Sequence, residues 1–348
     1  MSIPDEVGES VADLLASAGV RASITSIAAA KIGGNNRIFR VDTTSGTYAA
    51  KQYFRHEGDA RDRLAAEFAF LTYASVAAPG LVPRPYARNP DSGFALYEFV
   101  EGRGFDAGSI GLPEVDAAIA FFRALNAPQA RPAAAVLPQA SEASFSVSGH
   151  LEHIDRRVGQ LQAISPGSEI DRAGSALIRS LAARWRHLAQ AVRESATALG
   201  WDASRPLPPG QQCVSPSDFG FHNALRTGEG RIRFLDFEYA GWDDPAKTAG
   251  DFFAQLAVPV PGDYFEHFVS SIMQSFPDAE GLATRARLLR PVYQVKWCCI
   301  ALNVFLPVHL ARRRFANPAL DEAALKQAQL AKAEAILQSL LDPSHGLH

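Results

Sequence analysis

The sequence contains little of what marks secreted, membrane-bound or nucleic-acid-binding proteins. Its three cysteines, Cys213, Cys298 and Cys299, offer neither a disulfide framework nor the spacing of a metal site. No apolar run approaches the roughly 18 residues of a membrane span, and the N-terminal segment MSIPDEVGES is acidic where a signal peptide is basic. The formal net charge of -3 provides no basic surface for nucleic acid. We therefore expect a cytoplasmic protein that binds neither membranes nor nucleic acids.

What is present is an ordinary globular composition, with 47% hydrophobic and 20% charged residues. A chain of 348 residues is long enough for two domains or two lobes. Cys298 and Cys299 lie in the apolar stretch VYQVKWCCIALNVF, which predicts a buried helix in which cysteine behaves as a small hydrophobic residue.

The most informative stretch runs from Ser215 to Asp251. It contains Asp218, then Asn223 five residues later, and then Asp236 in the segment Leu-Asp-Phe-Glu. This order and spacing are those of the catalytic-loop Asp and Asn of kinases, followed by their metal-binding Asp. Asp and Asn also cap turns in many proteins, so each residue alone has a purely structural alternative.

A hairpin explains how these residues could meet. Residues 224–227 and 231–237 have the pattern of two strands around Gly228-Glu229-Gly230. With a two-residue turn at Glu229-Gly230, Asn223 lies opposite Asp236, and their oxygens suit Mg²⁺. Asp218, just before the hairpin, is then free to orient an attacking hydroxyl and accept its proton. The same register places four further side chains on the face of Asn223 and Asp236: Leu225, Thr227, Ile232 and Phe234.

The N-terminal part adds a phosphate-binding pattern. A leading amphipathic helix over residues 4–19 precedes two strands joined by Gly33-Gly34-Asn35-Asn36, a turn whose backbone N–H groups can approach an anion. Lys51 follows on the next strand, where a buried charge needs a partner. Glu67, on the predicted helix ARDRLAAEFAFLTYAS, is the candidate partner in the arrangement by which kinases hold phosphates, with an exposed helix Glu as the alternative.

After a proline-rich segment, FALYEFVEG predicts the last strand of a small lobe. It also forms the link to a larger lobe. Glu98 and Val100 in this strand are candidates to present backbone groups to adenine, a role that does not depend on the side chain.

Together, the motifs GGNNRIFRV, YAAKQY, LYEFVEG, SDFGFHNAL and LDFEYAGWDDP resemble the aminoglycoside phosphotransferase and choline kinase family. The resemblance implies an α+β, two-lobed, protein-kinase-like fold with a small N-terminal β-sheet lobe, residues 1–100, and a larger, mainly helical lobe, residues 101–348. It also implies ATP or GTP, Mg²⁺ and a hydroxyl acceptor. The implied roles are phosphate binding for Lys51, support of Lys51 for Glu67, action on the acceptor for Asp218, and metal binding for Asn223 and Asp236.

One position departs from the family pattern. The family usually has His two residues before its catalytic Asp, whereas this chain has Pro216. The loop must therefore be held in another way. His222 lies inside the loop, but a lone His is more often structural and is given no role.

The remaining sequence is predicted to be helical. Asp251 is expected to open a buried helix and to be structural, since its family counterpart supports the catalytic loop. The run Arg312-Arg313-Arg314 is expected to be a solvated helix end, with contact to an anionic substrate as the alternative. The last helix, with Lys326 and Lys332, is expected to cap the large lobe with its polar side in solvent.

The acceptor is predicted from charge. Residues 130–210, expected to cover the acceptor site, contain seven acidic and nine basic side chains. Polycationic aminoglycosides need carboxylates, so we predict a neutral or anionic hydroxyl compound such as a sugar or sugar-like metabolite. The alternatives are a catalytically silent kinase-like module and an aminoglycoside- or choline-type kinase. A protein kinase is disfavoured because no Ala-Pro-Glu-type segment follows Asp236.

Overall fold

A small antiparallel sheet precedes a larger helical region, in a computed structural model that describes residues 5–30, 36–55, 61–164 and 167–340. This confirms the predicted α+β architecture with an N-terminal β-sheet lobe and a mainly helical C-terminal lobe. The predicted phosphate-binding turn Gly33-Gly34-Asn35 lies outside the described residues.

The sheet has five antiparallel strands in the order β1-β2-β3-β5-β4. Helix α1 (Asp5–Ser17) packs Val11 and Leu14 against Phe39 and Val41 on one face, because apolar residues alternate along the strands. Helix α2 (Arg63–Ala77) lies on the other face. The strands are Ile24–Ala29 (β1), Arg37–Thr43 (β2), Gly46–Gln52 (β3), Pro85–Asn89 (β4) and Phe94–Glu98 (β5). The sequence analysis did not identify β4, whose first residue is a proline.

The helical region is built around one long buried helix. Its helices are Leu112–Leu125 (α3), Val147–Leu161 (α4), Glu169–Ala198 (α5), Pro245–Ala254 (α6), Phe265–Met273 (α7), Ala279–Leu302 (α8), Pro307–Ala316 (α9) and Glu322–Ser339 (α10). Helix α8 packs against α4, α5, α6, α7 and α10, and contains Cys298 and Cys299 as buried free thiols, as predicted. Among the described helices, no single one is long and apolar enough to cross a membrane. The segments Ala279–Phe305 and Pro307–Ala316 meet the length and composition test only as a pair bent by 76°.

Two short antiparallel pairs of strands lie between α5 and α6 in the sequence. The first pairs Cys213–Ser215 (β6) with Gly241–Asp243 (β9), and the second pairs Ala224–Arg226 (β7) with Ile232–Phe234 (β8). Helix α6 begins directly after β9, where the Asp244 side chain accepts a hydrogen bond from the Ala246 N–H and Pro245 occupies the first helical position. Asp251 therefore lies in the last turns of α6, and the expectation that it opens a helix was wrong.

Candidate active site

A cleft of about 960 Å³ lies between the sheet and the helical region. It is lined by all seven predicted site residues that the structure describes: Lys51, Glu67, Glu98, Val100, Asp218, Asn223 and Asp236. Residues separated by up to 185 positions in sequence thus come together at one place. No group of three or more His, Cys, Asp or Glu side chains suited to a metal occurs among the described residues.

Lys51 connects the sheet to the segment after the hairpin. Its Nζ atom lies 2.6 Å from Glu67 Oε2 and 2.6 Å from Asp236 Oδ1. Burial by itself would lower the pKa of the Lys51 ammonium, but the carboxylates of Asp236 and Glu67 hold this pKa well above its ordinary value. Lys51 and Glu67 are buried, whereas the Asp236 side chain is 39% exposed and faces the cleft.

Glu67 is held by more than its ion pair. Its Oε2 atom also accepts a hydrogen bond from the Tyr53 hydroxyl at 2.6 Å, and its Oε1 atom accepts one from the Phe237 N–H at 3.1 Å. The Tyr53 hydroxyl is in turn 2.7 Å from that of Tyr97. A buried carboxylate needs such partners to offset the loss of hydration. Helix α2 is thereby bound both to β3 and to the Asp236-Phe237 segment.

The hairpin differs from the predicted register by one residue. The Thr227 N–H donates to the Arg231 carbonyl, so the turn has three residues, with Gly230 at φ +80°. Leu235, and not Asp236, then lies opposite Asn223.

A one-residue shift moves side chains to the other face. Leu225 still lines the cleft, but Ile232 and Phe234, expected on the same face, are buried on the opposite one.

Asp236 reaches the cleft by leaving the strand. Strand β8 ends at Phe234, two residues before Asp236 and earlier than predicted. Asp236 has φ +64°, a left-handed conformation that is uncommon for a residue other than glycine. Because Asp236 lies beyond the ladder, its carboxylate is aimed by this backbone conformation and by Lys51 rather than by pairing with Asn223.

Asp218 and Asn223 are held within one short loop. The Asn223 amide nitrogen donates to the Asp218 carbonyl at 3.1 Å and lies 3.3 Å from Asp218 Oδ2. His222 Nε2 lies 3.1 Å from Asp218 Oδ1. Burial would raise the pKa of the Asp218 carboxyl, but the nearby His222 and the hydrogen bond from Asn223 lower it below its ordinary value. His222 was given no role from sequence. The one sequence feature that could have identified His222 is its position four residues after Asp218.

The loop is braced without a His at position 216. The Ser215 hydroxyl accepts from the Ser217 N–H at 3.0 Å and from the Thr248 hydroxyl at 2.8 Å. Lys247 Nζ lies 2.5 Å from Asp243 and 3.5 Å from the Ser217 hydroxyl. These side chains are buried, and they come from β6, β9 and α6. The bracing predicted to replace the missing His is therefore provided by hydroxyl groups and a buried lysine.

Asp251 binds α6 to α8. Its carboxylate accepts hydrogen bonds from Lys296 Nζ at 2.8 and 2.9 Å and from Trp297 Nε1 at 2.9 Å. The Trp297 ring lies edge to face with the His222 ring, with centroids 6.2 Å apart. Asp251 thus fixes two side chains that line the cleft beside the Asp218 loop.

The solvated helix end predicted at Arg312-Arg313-Arg314 was wrong for the first two arginines. Arg312 is buried, and Arg312 and Arg313 line the cleft instead of forming a solvated helix end. Only Arg314 lies outside, paired with Glu322. On α10, Lys326 is a partly buried partner of Asp171 at 2.8 Å. Lys332 on the same helix is exposed, so the expected solvated polar side holds for Lys332 but not for Lys326, which pairs with a residue of α5.

Helix α9 contacts the small lobe directly. Arg37 Nε on β2 donates to the Phe315 carbonyl at 3.0 Å, and the Phe54 and Phe315 rings have centroids 5.3 Å apart. Helix α9 therefore lies at the end of the cleft and contacts both lobes.

Comparison with known proteins matches the chain to one family model. The family model described as "Phosphotransferase enzyme family" (APH) matches residues 26–255. A comparison with curated proteins gives no significant match.

Three solved structures share the fold. A choline/ethanolamine kinase family protein from Mesorhizobium loti is similar at 19% identity and a TM-score of 0.56, covering 98% of this chain and 96% of that one. Choline kinase LicA from Streptococcus pneumoniae is similar at 14% identity and a TM-score of 0.57, covering 96% and 98%. Spectinomycin phosphotransferase APH(9)-Ia, solved with ADP and spectinomycin, has 9% identity and a TM-score of 0.56, covering 95% and 98%. Since the family model matches well over half of the sequence, the resemblance predicted above is confirmed and the chain belongs to the phosphotransferase enzyme family.

Proposed function

We propose that the protein is an ATP-dependent kinase that transfers the γ-phosphoryl group to a hydroxyl of a small molecule. The observation that carries this proposal is the position of Lys51 Nζ, 2.6 Å from both Glu67 and Asp236, in the cleft that also contains Asp218. An ammonium held between two carboxylates suits a polyphosphate whose charge must be balanced as phosphate is transferred. The complexes of LicA with AMP and of APH(9)-Ia with ADP support nucleotide binding in this fold.

On the nucleotide side, we propose that Lys51 binds the phosphates and that the end of β5 with the residues directly after it binds the base. The Glu98 backbone N–H already donates to the Arg84 carbonyl at 2.8 Å, and its carboxylate is bound to Arg233. Val100 is therefore the better candidate to donate a backbone hydrogen bond to adenine, or to guanine if GTP is used. The Gly33-Gly34-Asn35 turn stays a prediction for phosphate binding.

The residues present fit a magnesium ion. Asn223 donates its amide nitrogen to Asp218, which leaves its amide oxygen for a metal, and Asp236 keeps Oδ2 while Oδ1 binds Lys51. Mg²⁺ prefers such hard oxygen ligands and keeps water and phosphate in its other positions. Asn223 and Asp236 would hold the ion. When bound, it would neutralise charge on the transferring phosphate.

On the acceptor side, Asp218 is proposed to orient the hydroxyl and accept its proton. Its lowered pKa keeps the carboxylate charged at neutral pH, and a charged carboxylate is a strong hydrogen-bond acceptor. His222 occupies Asp218 Oδ1, whereas Oδ2 accepts only a long hydrogen bond of 3.3 Å from the Asn223 amide nitrogen, so we propose Oδ2 as the atom that accepts the proton. We propose a sugar or sugar-like acceptor, as the hydroxyl and amide groups of Ser141, Asn303 and Gln329 also line the cleft.

Turnover by the full-length protein tests the proposal. ADP release is measured with MgATP and a panel of hydroxylated metabolites, beside nucleotide binding by thermal shift with and without Mg²⁺. We expect acceptor-dependent ADP release. Asp218→Asn should lower kcat on the order of 10²- to 10⁴-fold while nucleotide binding persists. Asp236→Ala should instead weaken the Mg²⁺-dependent shift. Nucleotide binding without turnover of any acceptor would favour a silent kinase-like module.

A further inference from the structure

The wall of the cleft beside Asp218 has an excess of positive charge. Outside the sheet, α2 and the segment from Asp218 to Asp236, the charged residues that line the cleft are five bases and two acids: Arg157, Lys296, Arg312, Arg313, Lys332, Glu142 and Asp251. Both acids are already paired. Arg157 Nη2 lies 2.7 Å from Glu142, and Lys296 lies 2.8 Å from Asp251. Arg313 on α9 and Lys332 on α10, the two helices after α8, add positive charge to this wall.

Arg313 and Lys332 are positively charged groups of the cleft that no carboxylate of the described residues pairs with. Within the described residues, neither side chain forms a hydrogen bond or an ion pair. Arg313 is only partly exposed, and Lys332 is exposed at the rim of the cleft. The pKa of the Arg313 guanidinium is lowered, first by burial and also by Arg312, although the nearby Tyr239 and Asp218 oppose this shift. A partly buried guanidinium that lacks a carboxylate is costly unless a bound anion completes it.

His309, one turn before Arg313 on α9, confirms the sign of the local charge. The pKa of His309 is lowered to about 4, first by burial and then by Arg312, Arg157 and Arg313. The charged groups with the largest effects on the pKa of this imidazole are all cations. A neutral His309 offers a polar contact to a ligand without weakening the positive field.

We propose that the acceptor carries an anionic group, a carboxylate or a phosphate, besides the hydroxyl that is phosphorylated, and that Arg313 with Lys332 binds it. This inference rests on the proposed function and narrows its substrate class. A guanidinium can bind a carboxylate or a phosphate through two parallel hydrogen bonds. Lys332 at the rim attracts the anionic ligand as it enters the cleft. A polycation would instead place like charges beside this wall.

A binding experiment tests this inference independently of turnover. Isothermal titration with the Asp218→Asn protein and saturating MgADP compares glycerate with glycerol, gluconate with glucose, and ribose 5-phosphate with ribose. We expect at least one anionic member to bind tightly enough to be measured while its neutral partner does not. A Kd weaker than 10 mM for all three anions, or tighter binding of the neutral members, would overturn the proposal.

Variants locate the anion. Arg313→Gln should weaken binding of the anionic ligand roughly 30-fold, as expected for loss of a close charge partner, and Arg313→Lys should restore part of it. Lys332→Gln should weaken binding less, because Lys332 is exposed. Arg314→Gln is the matched control, since Arg314 lies on the same helix but pairs with Glu322 outside the cleft. Unchanged affinity in Arg313→Gln, or a loss confined to MgADP binding, would show that Arg313 does not recognise the acceptor.

Turnover separates failure of this inference from failure of the proposed function. If the wild-type enzyme phosphorylates choline or an aminoglycoside efficiently, the kinase assignment stands and the anionic acceptor is wrong. If anions bind through Arg313 but no acceptor is turned over, the anion site stands and the kinase assignment is wrong.

Discussion

His222 Nε2 lies 3.1 Å from Oδ1 of Asp218, within the loop that the sequence marks as catalytic. The contact occupies Oδ1, whereas Oδ2 has only a longer contact, 3.3 Å, to the Asn223 amide nitrogen. Burial would lower the pKa of His222, but Asp218 raises it, just as His222 lowers the pKa of Asp218. The pair therefore stabilises the imidazolium and the carboxylate together.

Removing this contact should slow the reaction without affecting nucleotide binding. We expect His222→Asn to lower kcat roughly tenfold, corresponding to about 1.4 kcal/mol of lost transition-state stabilisation, because Asp218 loses orientation but keeps its charge. The KM for ATP should stay unchanged. Steady-state kinetics with His187→Asn, an exposed histidine on α5, provide the control. An unaltered kcat would show that Asn223 and the backbone suffice to orient Asp218.

Lys51 and Glu67 should behave as one unit. Either Lys51→Ala or Glu67→Ala breaks the 2.6 Å pair, so the double variant should lose less free energy in kcat/KM than the sum of the single variants. Kinetics of all four proteins give the coupling energy, which we expect to exceed about 1 kcal/mol. Lys51→Ala combined with Lys326→Ala, which breaks a distant pair on α10, should be additive. Additive losses for Lys51 and Glu67 would contradict their joint role.

The hydroxyl bracing that replaces the missing His can be tested at Thr248. Thr248→Val keeps the shape of the side chain but removes the donor to Ser215 at 2.8 Å. The free energy of unfolding should fall by about 1 kcal/mol, and kcat should fall because the Ser215-Ser217 segment positions Asp218. Urea unfolding and kinetics measure the two effects. Thr248→Ser retains the hydroxyl and should keep both values near those of the wild type. If Thr248→Val loses stability but keeps kcat, the bond stabilises the fold without positioning the loop.

The buried His150 should lower the free energy of unfolding in mild acid. Its Nε2 atom lies 3.0 Å from Asp244 and its Nδ1 atom 2.6 Å from the Tyr293 hydroxyl, and Asp244 also binds Arg285 at 2.6 Å. Burial lowers the pKa of His150 to about 4. Between pH 6.5 and 4 the unfolded chain therefore binds a proton at His150 that the folded chain does not bind. Stability should therefore fall as the pH decreases through this range, by about 3 kcal/mol from this group.

Urea unfolding at pH 7 and pH 4.5 measures that loss. His150→Gln can donate to Asp244 and accept from Tyr293 without titrating, so its loss between the two pH values should be smaller than that of the wild type. Equal losses would mean that other groups cause the acid sensitivity.

Local sequence was sufficient to nominate the candidate site residues, and the family resemblance carried by their motifs predicted the two-lobed architecture. Lys51 in an apolar strand and Glu67 in an apolar helix predicted each other, because a buried charge needs a partner, and the structure places them 2.6 Å apart. Asp218 and Asn223 were recognisable from their spacing within one loop. The hairpin register was not, since a two-residue and a three-residue turn are both compatible with Gly228-Glu229-Gly230, and one residue reverses the faces of β8.

Tertiary structure alone decided the surroundings of those residues. Nothing local indicates that Thr248 braces Ser215 or that Arg313 lines the cleft, because both depend on how helices far along the chain pack. Helical periodicity shows which side of α9 is polar, but a polar side can face solvent or a cleft equally well. The sequence by itself determined the chemical groups of the site and their local order. Long-range packing of α6, α8, α9 and α10 decided which charges line the cleft, since burial and proximity are properties of the folded chain.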